Sequence, residues 1–120
     1  MKILVAASEA VPFCKTGGLA DVVGALTQRL GALGHDVCLF LPKYRDVRAA
    51  SLEGGIAHPI KVPLGAGTVD VGLSFLHRRG VSGYFVVYPL FVDREGLYGN
   101  AGKAHEDNAR RFALCSRAGV

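Results

Sequence analysis

At 120 residues the chain holds at most one domain, and with half of those residues hydrophobic it has the means to form a core. Its 14 Lys+Arg exceed its 10 Asp+Glu, but only Arg78-Arg79 and Arg110-Arg111 are adjacent, so the concentrated basic stripe of a nucleic-acid binder is missing. Cys14, Cys38 and Cys115 are odd in number and lack CxxC spacing, which points to neither a disulfide framework nor a zinc site, and no apolar run reaches membrane-spanning length.

Lys2-Ile3-Leu4-Val5-Ala6-Ala7 is a short apolar run, expected to form a strand buried on both faces. A polar break follows at Ser8-Glu9, then a loop bearing Pro12 and the string Lys15-Thr16-Gly17-Gly18. Beside Cys14, the charge of Lys15 is placed to lower a thiol pKa, although a small residue filling a loop position is the simpler reading. After the glycines comes a helical pattern with Val22, Val23, Leu26, Leu30 and Leu33 on one face, stopped by Gly34. Val37-Cys38-Leu39-Phe40-Leu41, closed by Pro42, is a second apolar run. Strand, helix, strand over this distance is a βαβ unit with parallel strands and a right-handed crossover.

A short helical turn is expected from Val47 to Leu52, then a turn at Glu53-Gly54-Gly55. Ile56 to Leu64 alternates loosely and carries Pro59 and Pro63, which suits an edge strand. Thr68 to Leu76 alternates more strictly, with Val69, Val71, Leu73 and Phe75 on one side, and Tyr84 to Tyr88 is a strong strand. These segments are expected to be antiparallel hairpins appended to a parallel sheet. Pro89 to Lys103 is a long loop rich in glycine and aromatic residues, a composition that favours function over disorder. A helix starts around Glu106-Asp107-Asn108 and carries Phe112, Leu114 and Cys115. Two parallel strands, hairpins and a trailing helix do not close a doubly wound domain. The 120 residues are therefore expected to be a fragment of a longer protein, and the chain is expected to be cytoplasmic.

The glycine loop fits neither of two familiar phosphate templates. A P-loop places its lysine after the glycines, whereas Lys15 precedes them. A dinucleotide fingerprint needs GxGxxG and a ribose-binding acid after the second strand, where this chain has Leu41-Pro42-Lys43. That weighs against a dinucleotide-dependent oxidoreductase. What remains is a general anion device: two glycines that admit a ligand to the backbone, a helix N-terminus and a mobile charge. It suits a diphosphate, above all one leaving with growing negative charge. A glycine-permitted turn with a solvated lysine fits the spacing equally well. Asp21 in the first helical turn complements the helix dipole, and Glu9 lies at the ligand edge of the sheet, placed to accept from sugar hydroxyls or to face solvent.

The string from Met1 to Leu26, and above all Lys15-Thr16-Gly17-Gly18-Leu19-Ala20-Asp21-Val22-Val23-Gly24-Ala25-Leu26, resembles the amino terminus of bacterial glycogen synthases and plant starch synthases, retaining glycosyltransferases of family 5. Gly34-His35-Asp36-Val37 with Pro42-Lys43-Tyr44, Asp93-Arg94-Glu95-Gly96-Leu97-Tyr98-Gly99 and Asp107-Asn108-Ala109-Arg110-Arg111-Phe112 agree in the family's order. The resemblance implies a GT-B architecture of two Rossmann-like domains, with residues 1–120 an incomplete N-terminal one whose remainder, like the carboxy-terminal domain, lies beyond this stretch. It implies transfer of glucose from ADP-glucose to the non-reducing end of an α-1,4-glucan such as glycogen, without a metal or other cofactor, nucleic acid or membrane. Lys15 and Asp21 are then the catalytic candidates. Lys15, Thr16, Gly17, Gly18, Glu9 and Tyr98 are the substrate-binding ones, Lys15 on the donor phosphates and Tyr98 on the glucan acceptor. Thr27 stands where the family usually has proline, and the family's HxHDW segment lies outside this stretch. An inactive anion- or nucleotide-binding fragment is the alternative expectation.

Overall fold

The opening apolar run forms strand β1, Lys2–Ala6, which pairs in parallel with β2, Asp36–Pro42, from Lys2 opposite Asp36 to Ala6 opposite Phe40. Helix α1, Gly18–Ala32, supplies the crossover that parallel neighbours require. The computed structural model describes residues 1–47, 56–78 and 80–120. The helical turn expected past Val47, the Glu53-Gly54-Gly55 turn and Arg79 lie outside the described residues.

On the other side of β2 lies β5, Val81–Val87, also parallel. β4, Gly67–Arg78, runs antiparallel to β5, and β3, Ile56–Leu64, antiparallel to β4. The sheet order is thus β1-β2-β5-β4-β3, a mixed α/β sheet with a parallel core and antiparallel hairpins, as the sequence leads one to expect. β5 does double duty, closing a hairpin with β4 and extending the parallel core beside β2. β3 is the edge strand that its prolines allow, and its register against β4 shifts between Ala57 and Ile60, where Pro59 has no N–H to give the ladder.

The middle strands are buried on both faces, with Leu39, Phe40 and Leu41 of β2 and Phe85 and Val86 of β5 all in the core. Phe13, from the loop before α1, meets Phe85 edge-on at 5.0 Å between ring centroids. β1 departs from expectation. It has a ladder partner on the β2 side alone, and Leu4 is 52% exposed, so it is an edge strand among the described residues rather than one buried on both faces.

The helix face departs as well. α1 buries Ala20, Val23, Gly24 and Thr27, while Val22, Leu26 and Leu33 of the expected apolar face are exposed. The helix is turned so that its small residues meet the protein, because the loop before it passes very close. The Val11 N–H donates to the Ala20 carbonyl at 3.1 Å, and a Cβ on Gly24 would collide with the Val11 side chain and lie 2.8 Å from its carbonyl oxygen. Thr27 sits on this buried face and its hydroxyl donates to the Val23 carbonyl at 2.7 Å, so threonine needs no partner outside the helix.

The segment from Pro89 carries more structure than a loop. It holds a four-residue helical turn α2, Pro89–Val92, and a two-residue hairpin of β6, Gly99–Asn100, with β7, Lys103–Ala104. Ala101 and Gly102 turn that hairpin at φ of 51° and 78°. Helix α3, Asn108–Ala118, follows and ends with Gly119 against the Phe40 ring.

The three cysteines are free. Burial pushes the Cys14 thiol up to about 11, opposed by a bond from the Ala10 backbone and helped by the Glu9 charge. Burial alone takes Cys115 up to about 12. For Cys14, desolvation therefore outweighs the Ala10 bond, and the thiol moves opposite to the lowering that Lys15 beside it in sequence suggests.

This packing can be tested at two points. Gly24→Ala forces α1 away from Val11 and should destabilise by on the order of 1–3 kcal/mol, the range for overpacked sites, read as a lower urea midpoint. At neutral pH, iodoacetamide should alkylate Cys14 roughly 100-fold and Cys115 roughly 1,000-fold more slowly in the folded chain than in the urea-unfolded one, since the thiolate is the reacting form. Comparable rates in both states would contradict the burial described.

Candidate functional site

The carboxyl ends of β1 and β2 open onto the corner where open α/β sheets bind ligands. β1 ends at Ala6, and the chain crosses Ser8-Glu9 into a tight turn in which the Phe13 and Cys14 N–H groups both donate to the Ala10 carbonyl at 3.0 Å. The glycine loop emerges from that turn and runs into α1.

Glu9 lies beneath the loop. It is 3% exposed, and its Oε2 accepts from the Thr16 N–H at 2.5 Å and the Thr16 hydroxyl at 2.8 Å. Lys15 points the other way, half exposed, with Nζ donating to both carboxylate oxygens of Asp21 at 2.8 and 2.6 Å. Asp21 stands in the first turn of α1, so it meets both the helix dipole and the lysine.

Gly17 is the N-cap of α1 and gives no side-chain cap to the first-turn N–H groups. A Cβ on Gly17 or Gly18 would meet nothing within 4 Å, and neither residue has positive φ. The protein's own packing does not require glycine at either position. What a side chain there would take is the open space before the helix terminus.

Tyr98 reaches the same corner from the far end of the chain. Its hydroxyl shares a hydrogen bond with Ser8 Oγ at 2.7 Å, and its ring packs on Phe112 at 5.8 Å. Burial raises its pKa, the Ser8 bond works against this, and the nearby Glu9 charge raises it further. The Tyr98 carbonyl accepts from the His105 N–H at 2.9 Å and from Asn108 Nδ2 at 2.8 Å. A cavity of about 310 Å³ opens on this side, lined by Ala6, Ser8, Phe40, Tyr98, Phe112 and Cys115 among others. Lys15 and Asp21 do not line it.

The sequence-designated residues are thus brought together. Glu9, Lys15, Thr16, Gly17, Gly18 and Asp21 share one corner, with Tyr98 joined to it through Ser8. Sequence reasoning misses the supports. Tyr44 donates its hydroxyl to the Ser8 carbonyl at 2.8 Å. Arg94 grips Asp107 with both terminal nitrogens, Nη2 to Oδ2 at 2.9 Å, so the acid at the head of α3 serves a loop as well as the helix dipole.

Arg111 is the largest surprise. One of the two adjacent basic pairs in the sequence contains it, yet it is fully buried. It donates to the Leu90 and Leu97 carbonyls at 2.9 Å each and to Asn108 Oδ1 at 2.7 Å, with Phe91 and Phe112 rings within 5.1 and 5.7 Å. Its spacing from Leu114 and Cys115 along α3 is the one signal the sequence offers. Among the described residues, no group of three or more His, Cys, Asp or Glu is placed to hold a metal ion, and no helix is long and apolar enough to cross a membrane.

Comparison with known proteins gives this corner a family. Residues 2–120 match the family model described as starch synthase catalytic domain. Glycogen synthase of Koribacter versatilis is 46% identical over 123 residues, covering 98% of this chain and 24% of the relative. Glycogen synthase of Desulforamulus reducens is 44% identical over 119 residues, with the same two shares. Among solved structures, the catalytic domain of starch synthase IV from Arabidopsis thaliana, bound to ADP and acarbose, superposes with a TM-score of 0.81 at 26% identity, over 98% of this chain and 24% of that one. The chain spans about a quarter of the length of the relatives it matches. Matched along nearly its whole length, glycine loop and Tyr98 segment included, the chain belongs to the starch synthase catalytic domain family.

Proposed function

We propose that this chain supplies one wall of the active site of a glycogen or starch synthase, which transfers glucose from ADP-glucose to the non-reducing end of an α-1,4-glucan with retention of configuration. Residues 1–120 are then an incomplete amino-terminal Rossmann-like domain. The rest of that domain and the second GT-B domain lie in the remainder of the parent enzyme, which is cytoplasmic. One observation carries the reading: the family match runs through a loop whose lysine, open glycines and side-chain-uncapped helix N-terminus stand together at the ligand edge of the sheet.

In the reaction, the bond from the glucose anomeric carbon to the diphosphate oxygen breaks and its electron pair leaves with ADP. A bond forms from that carbon to the acceptor 4-oxygen, which loses its proton. Charge therefore grows on the departing diphosphate. Lys15, half exposed and held among the described residues by the exposed Asp21 carboxylate, can exchange Asp21 for that charge. The α1 N-terminus adds fixed N–H donors, and Gly17 and Gly18 leave room for phosphate against the backbone. Asp21 keeps Lys15 over the helix terminus before the donor arrives. Tyr98 offers an aromatic face and a hydroxyl to the acceptor sugar.

Two measurements test the proposal. The 120-residue chain alone should incorporate no labelled glucose from ADP-glucose into glycogen, whereas the full-length parent should. In the parent, Lys15→Ala should cost on the order of 2–4 kcal/mol of transition-state stabilisation, about 30- to 900-fold in rate, as for other preorganised charges facing a developing anion. An unchanged rate would rule out Lys15 as the partner of the departing diphosphate.

A further inference from the structure

Glu9 poses a problem for any anion site in this corner. It is a nearly buried carboxylate next to a loop proposed to receive a diphosphate, and a negative charge there repels the ligand. Lys15, the cation nearest in sequence, is engaged by Asp21 and not by Glu9. Glu9 instead spends one oxygen on both polar groups of Thr16, at 2.5 and 2.8 Å. Those bonds fix the backbone between Lys15 and Gly17. The residue before it, Ser8, bonds Tyr98 through its hydroxyl at 2.7 Å and Tyr44 through its carbonyl at 2.8 Å. Two consecutive residues at the end of β1 thus hold the glycine loop on one side and the tyrosine loop on the other.

We propose that Glu9 is a positioning residue: acting through Thr16, and not by touching sugar or phosphate, it sets the height and direction of the Lys15–Gly18 loop before the donor binds. This rests on the reading of that loop as the donor-phosphate site. It also predicts a sign. If Glu9 were only a nearby charge, removing it would strengthen binding of ADP. If it contacted the glucosyl unit, ADP, which lacks glucose, would bind unchanged. If it positions the loop, ADP binding weakens.

The experiment is calorimetric titration of ADP into the full-length enzyme and its variants, with melting temperatures recorded alongside. Glu9→Ala leaves Thr16 without its charged acceptor and should weaken ADP binding roughly 10- to 100-fold, the range for lost hydrogen bonds to a charged group. Glu9→Gln keeps an oxygen that accepts from Thr16 and should stay within about threefold to tenfold of wild type, the smaller loss expected for a neutral acceptor. Glu9→Asp keeps the charge but withdraws it by one methylene. It should behave like Glu9→Ala in ADP binding while melting near wild type, and it carries the test should Glu9→Ala fail to fold. Unchanged or tighter ADP binding by Glu9→Asp would overturn the proposal. Lys15→Ala separates the two readings. If it weakens ADP binding while Glu9→Asp does not, the positioning role alone falls. If neither changes ADP binding, the donor-loop reading falls with it.

Discussion

The ligand side of this sheet hangs from the end of β1, where Glu9 gives up water to accept two bonds from Thr16. A carboxylate taken out of solvent without a cation is expensive, and only hydrogen bonds to the charged form offset the cost. Bonds of that kind contribute roughly 1.5–3 kcal/mol each, so one residue with two donors can hold the ion in place. An ordinary loop is closed more simply, by backbone bonds such as those from Phe13 and Cys14 to Ala10. The charged clamp adds direction. It ties the loop to a strand end whose position the parallel ladder with β2 already sets.

Above that fixed base lies a loose pair. Lys15 and Asp21 meet with good geometry, yet both are about half exposed, and exposed pairs contribute about 0–1 kcal/mol. Such a contact keeps a lysine near the helix terminus without competing strongly with phosphate oxygens. The asymmetry matters to the proposed chemistry. The backbone that must be preorganised is held by a buried ion, and the charge that must move is held by a solvated one.

Much of this is legible in the sequence, for identifiable reasons. Apolar runs and turn residues signal the βαβ unit and its hairpins, and Pro59 marks β3 as an edge strand because a proline has no N–H to join a ladder. The order of Lys15, Gly17 and Gly18 excludes the P-loop and dinucleotide templates, but spacing by itself fits an anion site and a glycine turn with a solvated lysine equally well. The departures share a cause. Leu4, Val22, Leu26 and Leu33 are apolar and periodic, yet exposed in this chain, because pattern reports what a residue is suited to bury against and not what lies beside it. α1 is oriented by the close pass of Val11 over Gly24, a contact between loop and helix that periodicity does not encode. Arg111 misleads because buried arginine is rare, and its carbonyl partners come from the segment before α3, as far back as Leu90.

That buried arginine explains how a tyrosine near the end of the chain comes to serve a loop near its beginning. The bond between Ser8 and Tyr98 spans 90 positions and is a single hydroxyl contact, too weak to organise the intervening segment. Arg111 does so instead. From α3 it binds carbonyls on both sides of the Asp93–Gly96 stretch, Leu90 before it and Leu97 after it, and shares Asn108 with the Tyr98 carbonyl. Its Nε and Nη1 meet the Leu90 and Leu97 carbonyls and the Asn108 side chain, which offsets part of the cost of burying the cation, while Nη2 is buried without a partner among the described residues. The tyrosine hydroxyl then arrives at Ser8 already placed. In this fold the two sides of the proposed site are held by opposite charges, a carboxylate under the glycine loop and a guanidinium under the tyrosine loop. Each holds backbone and a neighbouring side chain, and neither Lys15 nor the Tyr98 ring is used in that support.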